Sequence, residues 1–125
     1  MSAIRGKDTE PERRVRSALH HMGYRFRLHV SDLPGRPDVV MARHRTVVFV
    51  HGCFWHQHPG CAEATKPGTR VEYWTEKFRR NRIRDRRVER SLRSQGWRVD
   101  TLWDCETREG LIPTLRTRLP NRIRH

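Results

Sequence analysis

The sequence lacks any long apolar run, and it contains few cysteines. No stretch of its 125 residues approaches the ~18 consecutive apolar side chains of a membrane-spanning helix, so we expect no membrane span. The N-terminal dozen residues contain no apolar signal region, which favours a cytoplasmic protein. Three cysteines cannot all pair, and in a reducing compartment they are typical of metal ligands or inert thiols rather than of a disulfide framework.

Acidic residues are scarce relative to basic ones. The chain has 14 Asp plus Glu against 27 Lys plus Arg, a formal net charge of +13, and nearly all of the cations are arginine. The planar guanidinium group suits phosphates and base edges better than the point charge of lysine. Nucleic acid is therefore the expected partner, although an RNA-binding protein would carry the same charge and a GC-rich genome also favours arginine codons.

The apolar pattern predicts one α/β domain over residues 1–125, with a mixed central sheet flanked by helices. Residues 1–8 are expected to form a flexible basic arm and residues 120–125 a frayed tail. Trp97 and Trp103 alternate along the last predicted strand and are expected to be core residues. The predicted elements are a helix from a capping box at residues 9–12 to Gly23, strands at 24–29, 38–41 and 46–50, a helix at 70–94 with a second capping box at 69–72, a strand at 97–103 and a weak helix at 107–119.

The densest group of reactive side chains is the segment HGCFWHQHPGC at residues 51–61, directly after an apolar strand. It contains three histidines, two cysteines and two adjacent aromatic residues. Groups at the end of a buried strand are held by the sheet, as a catalytic or metal site requires. We therefore expect the functional site at this end of the strand.

Part of this segment is typical of a zinc site. Cys53, His58 and Cys61 form a C-x4-H-x2-C pattern, and Cys105 is the remaining cysteine. Thiolates with one imidazole at close spacing are the usual ligands of a tetrahedral structural zinc, which here would attach the loop to the end of the last strand. His56 competes with His58 for the histidine position, and buried free thiols beside a solvated histidine are the alternative without a metal.

Other residues of the same region suggest phosphodiester chemistry. Hydrolysis of a phosphodiester needs a hard cation, a base for water and an acid for the leaving oxygen. Asp38 can bind Mg²⁺, unless its Pro-Asp pair is a simple turn, while His51 and His56 can transfer protons near neutral pH. Glu12 is either the capping-box partner of the first helix or a further carboxylate near the metal.

The long predicted helix has an inward stripe that two polar residues, Asn81 and Asp85, interrupt. A buried Asn or Asp is costly unless it is hydrogen-bonded, so we expect both residues to orient the histidines or the water on the metal. An imperfect stripe with both groups in water is the alternative. The predicted stripe consists of Val71, Trp74, Phe78, Asn81, Asp85, Val88 and Leu92.

Four segments within residues 4–106 together resemble the very-short-patch-repair (Vsr) DNA mismatch endonucleases. They are DLPGRPDVV, VFVHGCFWHQHPGC, the run from Pro67 to Lys77, and GWRVDTLWDCE. The resemblance implies a restriction-endonuclease-like fold and a monomeric, Mg²⁺-dependent, zinc-containing enzyme that nicks the thymine strand 5′ of a T:G mismatch in double-stranded DNA. Such an enzyme starts mismatch repair and can have repair-protein partners. The competing hypotheses are a non-catalytic zinc-containing nucleic-acid-binding module and a nuclease of the same fold with different specificity.

The resemblance also implies roles for individual residues. Val50 stands where well-known members of the family have threonine, which keeps a backbone carbonyl for Mg²⁺ and loses a hydroxyl. The spacing from His58 to the next cysteine is one residue longer than in those members. The implied sites are catalytic Asp38, His51 and His56 with Glu12 nearby, a Mg²⁺ site at Asp38 and Val50, zinc ligands Cys53, His58, Cys61 and Cys105, and DNA-intercalating Phe54, Trp55 and Trp74.

Overall fold

The computed structural model describes residues 9–62, 64, 67–108 and 110–119, and the predicted basic arm and C-terminal tail lie outside them. The order of helices and strands is the predicted one. Two short 3-10 turns, Ala42–His44 and Asp104–Thr107, follow the second and fourth strands. The elements are α1 (Glu10–His21), β1 (Arg27–Leu28), β2 (Val39–Met41), β3 (Thr46–His51), α2 (Val71–Ser94), β4 (Arg98–Trp103) and α3 (Leu111–Arg118).

The four strands form one mixed sheet in the order β1-β2-β3-β4. The first two pairings are antiparallel, with Val39 opposite Val48, and β4 runs parallel to β3, with Val47 opposite Val99. The parallel pair requires a crossover, which α2 provides. Because β2 runs against β3, the start of β2 lies at the same edge of the sheet as the ends of β3 and β4.

The core lies on both faces of the sheet. Val48 faces a cluster that includes Leu19 of α1 and Leu115 of α3, together with Leu102 of β4. Its neighbour Val47 faces Leu92 of α2 on the other side of the sheet. This alternation follows from the two-residue period of a strand. The sheet is therefore held rigidly between α2 on one face and α1 with α3 on the other.

The two predicted helix starts have different outcomes. Thr9 caps α1 by accepting a hydrogen bond from the Glu12 N–H at 3.4 Å, as predicted. The second predicted capping box is wrong, because Arg70 occupies the cap position of α2 with a left-handed φ of 51° and no side-chain cap bond. Val71 is 55% exposed, so the predicted apolar stripe also fails at its first residue, although Phe78 and Leu92 are buried.

The first strand is shorter than predicted. Only Arg27 and Leu28 pair with β2, and His29 ends the strand with a φ of 47°. Tyr24 is buried against the core next to α1 instead of extending the strand. Among the described residues, no helix is long and apolar enough to cross a membrane.

Candidate active site and metal centre

One edge of the sheet opens into a cleft of about 1380 Å³. The start of β2, the end of β3 and one side of α2 meet there because of the strand directions described above. The cleft brings together residues that are far apart in the sequence. Its acidic and histidine side chains include Glu12, His29, Asp38, His51, His56 and Asp85.

Asp38 is fixed at the edge of the sheet by the strand next to it. The Val50 N–H donates a hydrogen bond to Asp38 Oδ2 at 2.7 Å. Burial raises the pKa of Asp38 to about 7, and the negative charge of Glu12 adds to this rise while the Val50 N–H opposes it. The ligand oxygens of the two carboxylates lie within 4.8 Å of each other and repel when both are ionised, and a hard divalent ion between them would relieve this repulsion.

Glu12 lies in the capped first turn of α1 and also beside Asp38 in the cleft. Its backbone N–H is capped by Thr9, while its carboxylate lies 3.2 Å from His29 Nε2. The same nitrogen lies 3.8 Å from Asp38 Oδ1. Glu12, His29 and Asp38 therefore form a compact group of possible metal ligands beside the start of β2.

The two candidate catalytic histidines lie face to face. The rings of His51 and His56 are stacked, with centroids 3.9 Å apart and an angle of 5° between the planes. Burial, together with the nearby positive charge of His56, lowers the pKa of His51 to about 4. His51 is therefore neutral near pH 7.

Asp85 holds His56 from α2. The Nδ1–H of His56 donates to Asp85 Oδ2 at 2.7 Å. Burial alone would raise the pKa of Asp85, but the hydrogen bond from His56 and the positive charge of that ring outweigh it and lower the pKa. Asn81 contacts the backbone of the same loop, where its side-chain amide donates a hydrogen bond to the Trp55 carbonyl at 3.0 Å. Both polar residues of the α2 stripe therefore bind the histidine-containing loop.

The four predicted zinc ligands form what we call the thiol cluster, Cys53, His58, Cys61 and Cys105. His58 Nδ1 lies 3.8 Å from Cys53 Sγ and 3.6 Å from Cys105 Sγ, and the sulfurs of Cys61 and Cys105 are 4.0 Å apart. Tetrahedral zinc with bonds of ~2.0–2.3 Å separates neighbouring ligand atoms by roughly 3.5–3.8 Å, so the spacing fits this metal. Burial raises the pKa of Cys53 to about 12, and a bound cation would be needed to keep it as a thiolate.

This geometry also separates the two histidines that compete for the zinc position. His58 points into the thiol cluster, whereas His56 points to Asp85. All three cysteines are free, which leaves their sulfurs available to a metal.

The predicted DNA-inserting residues belong to an aromatic cluster made of Phe54, Trp55, Trp74 and Phe78. Phe54 is held edge-on against Trp74 and Phe78, with ring centroids 5.6 and 5.4 Å away. Trp55 is 43% exposed and lines the cleft, and Phe78 is buried. Trp55 is therefore exposed in the cleft while the other aromatic rings of the cluster pack beneath it.

The model of the family described as DNA mismatch endonuclease Vsr matches residues 1–63, which is about half of the chain. A curated DNA mismatch endonuclease Vsr from Escherichia coli strain K12 is 46% identical over 108 residues, covering 86% of this chain and 69% of that protein. The chain belongs to the Vsr family. A further relative, the type II nicking enzyme V.XorIIP of Xanthomonas oryzae pv. oryzae, is 50% identical over 97% of this chain and 87% of its own length.

This Vsr protein is therefore a DNA endonuclease, and the predicted family and enzyme class are confirmed. Its fold resembles the catalytic domain of the homing endonuclease I-Bth0305I, with a TM-score of 0.57 over 88% of this chain and 93% of that one. At 20% identity this similarity concerns the fold alone. The predicted mixed sheet flanked by helices is confirmed by the strand pairing and by this shared fold.

Sequence analysis did not predict two residues that contact the candidate site. His29 has no motif of its own, and its place beside Asp38 depends on a backbone angle that sequence does not reveal. Trp103 was expected in the core, yet its ring stacks on His58 at 4.2 Å and meets His51 edge-on at 5.3 Å. Its position directly before Asp104-Cys105 at the end of β4 was the available signal.

Proposed function

We propose that this Vsr-family endonuclease nicks the thymine-carrying strand 5′ of a T:G mismatch, as a Mg²⁺-dependent, zinc-containing monomer in the bacterial cytoplasm. The observation that carries the proposal is the convergence of Asp38 with the stacked pair His51 and His56 in one cleft. The E. coli relative is named a DNA mismatch endonuclease, which supports a mismatched duplex as substrate. Repair proteins that act after the nick would be its functional partners.

The carboxylates of Asp38 and Glu12 would hold the Mg²⁺, together with the backbone carbonyl of Val50 that the family resemblance implies. Hard oxygen donors fit this ion, and their unfavourable proximity without a cation supports a site here. A bound dication offsets phosphate charge and lowers the pKa of its water. The hydrogen bond from the Val50 N–H holds Asp38 Oδ2. The other carboxylate oxygen, Oδ1, is then directed toward His29.

His56 is the proposed general base. Its Nδ1–H is used by Asp85, so Nε2 carries the lone pair that accepts a proton from the attacking water. Asp85 stabilises the imidazolium that results, since a carboxylate partner favours the charged ring. His51, which is neutral near pH 7, would donate a hydrogen bond to a phosphate or leaving-group oxygen.

Trp55 is the proposed wedge at the mismatch, with Phe54 and Trp74 behind it. A mismatched step is easier to unstack than a paired one, and an inserted aromatic ring recovers part of the stacking energy. The exposure of Trp55 and the packed support beneath it favour this role. Arg79 and Arg93 of α2 form ion pairs within the helix, with Glu76 and Glu89. Other exposed arginines of α2 would neutralise DNA phosphates.

The thiol cluster is proposed to hold a structural zinc that fixes the loop between Cys53 and Cys61 to the end of β4. That loop carries both Trp55 and His56, so the metal would hold the wedge and the base together. The donor set of three thiolates and one imidazole fits zinc. The extra residue between His58 and Cys61 is accommodated by Gly60, whose φ is 71°.

A second candidate function is strand nicking with a different specificity. The V.XorIIP relative, 50% identical over nearly the whole chain, is named a type II nicking enzyme rather than a mismatch endonuclease. The same catalytic residues would serve both activities. Only the choice of duplex distinguishes them.

The test is a nicking assay on end-labelled duplexes that differ by one base pair, T:G or T:A, with Mg²⁺ or with EDTA. We expect a nick on the thymine strand of the T:G duplex alone, abolished by EDTA and by Asp38→Asn. The matched control is Asp32→Asn, which removes an exposed carboxylate six residues away in the same turn region and should leave nicking intact. Equal nicking of both duplexes would contradict mismatch specificity, and tight binding without nicking would support the non-catalytic module.

A further inference from the structure

His29 is the unassigned side chain closest to the proposed metal site. Its Nε2 lies 3.2 Å from Glu12 Oε1 and 3.8 Å from Asp38 Oδ1. The three side chains are 16%, 13% and 19% exposed in the order His29, Glu12, Asp38, and all three line the cleft. Their donor atoms lie within 4.8 Å of one another, so one ion can contact all of them.

The backbone holds His29 in this place. Its φ of 47° is in the left-handed region, which residues with a side chain rarely adopt and which tends to persist where the surroundings enforce it. The His29 N–H donates to the Asp38 carbonyl at 3.3 Å, directly after β1 ends. The imidazole is therefore set beside Asp38 by the turn itself and not only by contacts between charged groups.

The shorter of the two spacings matches that of adjacent ligands on a common ion, whereas the 3.8 Å from His29 Nε2 to Asp38 Oδ1 is longer. Adjacent ligands of an octahedral cation with bonds of ~2.1 Å lie ~3.0 Å apart, close to the 3.2 Å between His29 Nε2 and Glu12 Oε1. Mg²⁺ favours oxygen donors and keeps several waters, whereas imidazole nitrogen increases affinity for the later first-row dications. A site with two carboxylates and one imidazole is thus suited to a transition metal.

We propose that His29 Nε2 is a third protein ligand, with Asp38 and Glu12, of the cation in the cleft, and that this site selects a first-row transition-metal dication such as Mn²⁺ over Mg²⁺. The inference rests on the proposed function in that it concerns the metal of the same cleft. It concerns which ion binds more tightly and not whether Mg²⁺ supports nicking, and it adds a ligand that the family resemblance does not imply.

The experiment uses the full chain with zinc already bound, so that the thiol cluster does not compete for the added ion. Mn²⁺ and Mg²⁺ are titrated without DNA into the wild type, His29→Gln and His21→Gln. We expect the wild type to bind Mn²⁺ more tightly than Mg²⁺, and His29→Gln to lose roughly 10- to 100-fold in Mn²⁺ affinity with a smaller loss for Mg²⁺. His21→Gln, which removes an exposed histidine at the end of α1, should match the wild type.

Pulsed electron paramagnetic resonance of bound Mn²⁺ supplies a second readout that does not depend on activity, and its wild-type measurement requires no variant to fold. We expect a nitrogen coupling in the wild type that persists in His56→Gln. An unchanged Mn²⁺-to-Mg²⁺ affinity ratio in His29→Gln, or no nitrogen coupling in the wild type, would overturn the proposal, as would a coupling that disappears in His56→Gln.

The two proposals can fail separately. Nitrogen-bound Mn²⁺ in a protein that nicks no duplex with any metal would reject the proposed function and leave the His29 ligand standing. Mismatch nicking with Mg²⁺, together with no nitrogen coupling, would support the proposed function and reject His29 as a ligand.

Discussion

The carboxylate of Asp85 and the imidazole of His56 meet at 2.7 Å although 29 positions separate them in the chain. This bond joins the long helix α2 to the loop that carries the thiol cluster. It fixes which nitrogen of His56 faces the cleft. The orientation of the proposed base therefore depends on a residue outside the loop's own motif.

Replacing Asp85 by asparagine tests this dependence. We expect kcat for nicking to fall by ~10²- to 10⁴-fold, the usual contribution of general acid–base catalysis, with little change in KM. The physical reason is that an amide no longer fixes the Nδ1–H form of His56 or stabilises its protonated ring. Single-turnover nicking assays measure the effect.

The control for Asp85→Asn is the exposed Asp32→Asn, expected to nick at the wild-type rate. A change confined to KM would mean that Asp85 contributes to DNA binding rather than to orienting His56. A normal kcat would remove Asp85 from the proposed mechanism.

Replacing Cys105 by serine tests the metal in the thiol cluster. We expect zinc below one equivalent per chain, because one thiolate of the set is lost. A loss of ~2 kcal/mol of stability would lower Tm by roughly 5–10 °C for a domain of this size. Elemental analysis and thermal unfolding measure both effects, and wild type stripped with a chelator is the comparison. Full zinc content in the variant would exclude Cys105 as a ligand.

Replacing Trp55 by alanine tests the wedge. Stacking of one base on an aromatic ring is worth ~1–3 kcal/mol, so Kd for a T:G duplex should rise roughly 5- to 150-fold. The effect should be smaller on a matched duplex, which does not open as readily. Fluorescence anisotropy in an Asp38→Asn background measures binding without cleavage.

The matched control for Trp55→Ala is Ile83→Ala, another exposed apolar side chain, on α2. It should leave both affinities unchanged. Equal weakening of binding to T:G and matched duplexes by Trp55→Ala would indicate general DNA contact instead of mismatch insertion.

Replacing Leu102 by alanine tests the core beneath the site. Leu102 is fully buried on β4, and truncating such a leucine costs ~2–5 kcal/mol of unfolding free energy. Leu28→Ala, at a position 38% exposed on the edge strand, should change it by only about ±0.5 kcal/mol. Urea unfolding measures both, and similar values for the two variants would contradict the assignment of the core.

The strong periodicities of the chain predicted most of the fold. The apolar run of β3 and the 24-residue helix α2 are where the pattern indicated. The second capping box failed because Arg70 adopts a left-handed conformation and becomes the cap itself. A four-letter motif does not reveal that angle.

The candidate site was predictable to the extent that its residues stand in dense motifs or break a pattern. Asp85 was detected because it interrupts an apolar stripe, and the contact with His56 explains why a carboxylate lies there. Spacing could not separate His56 from His58, since that choice depends on the partner each ring faces. His29 escaped notice because its contacts arise from a left-handed backbone conformation where β1 ends and from the pairing of its N–H with the Asp38 carbonyl.

The indole of Trp103 has a consequence for how this endonuclease could lose its activity. Its ring stacks face to face on His58 of the thiol cluster and packs edge-on against His51, a proposed catalytic residue. Damage to the sulfur atoms, by oxidation for example, would be transmitted through that ring to the nuclease centre.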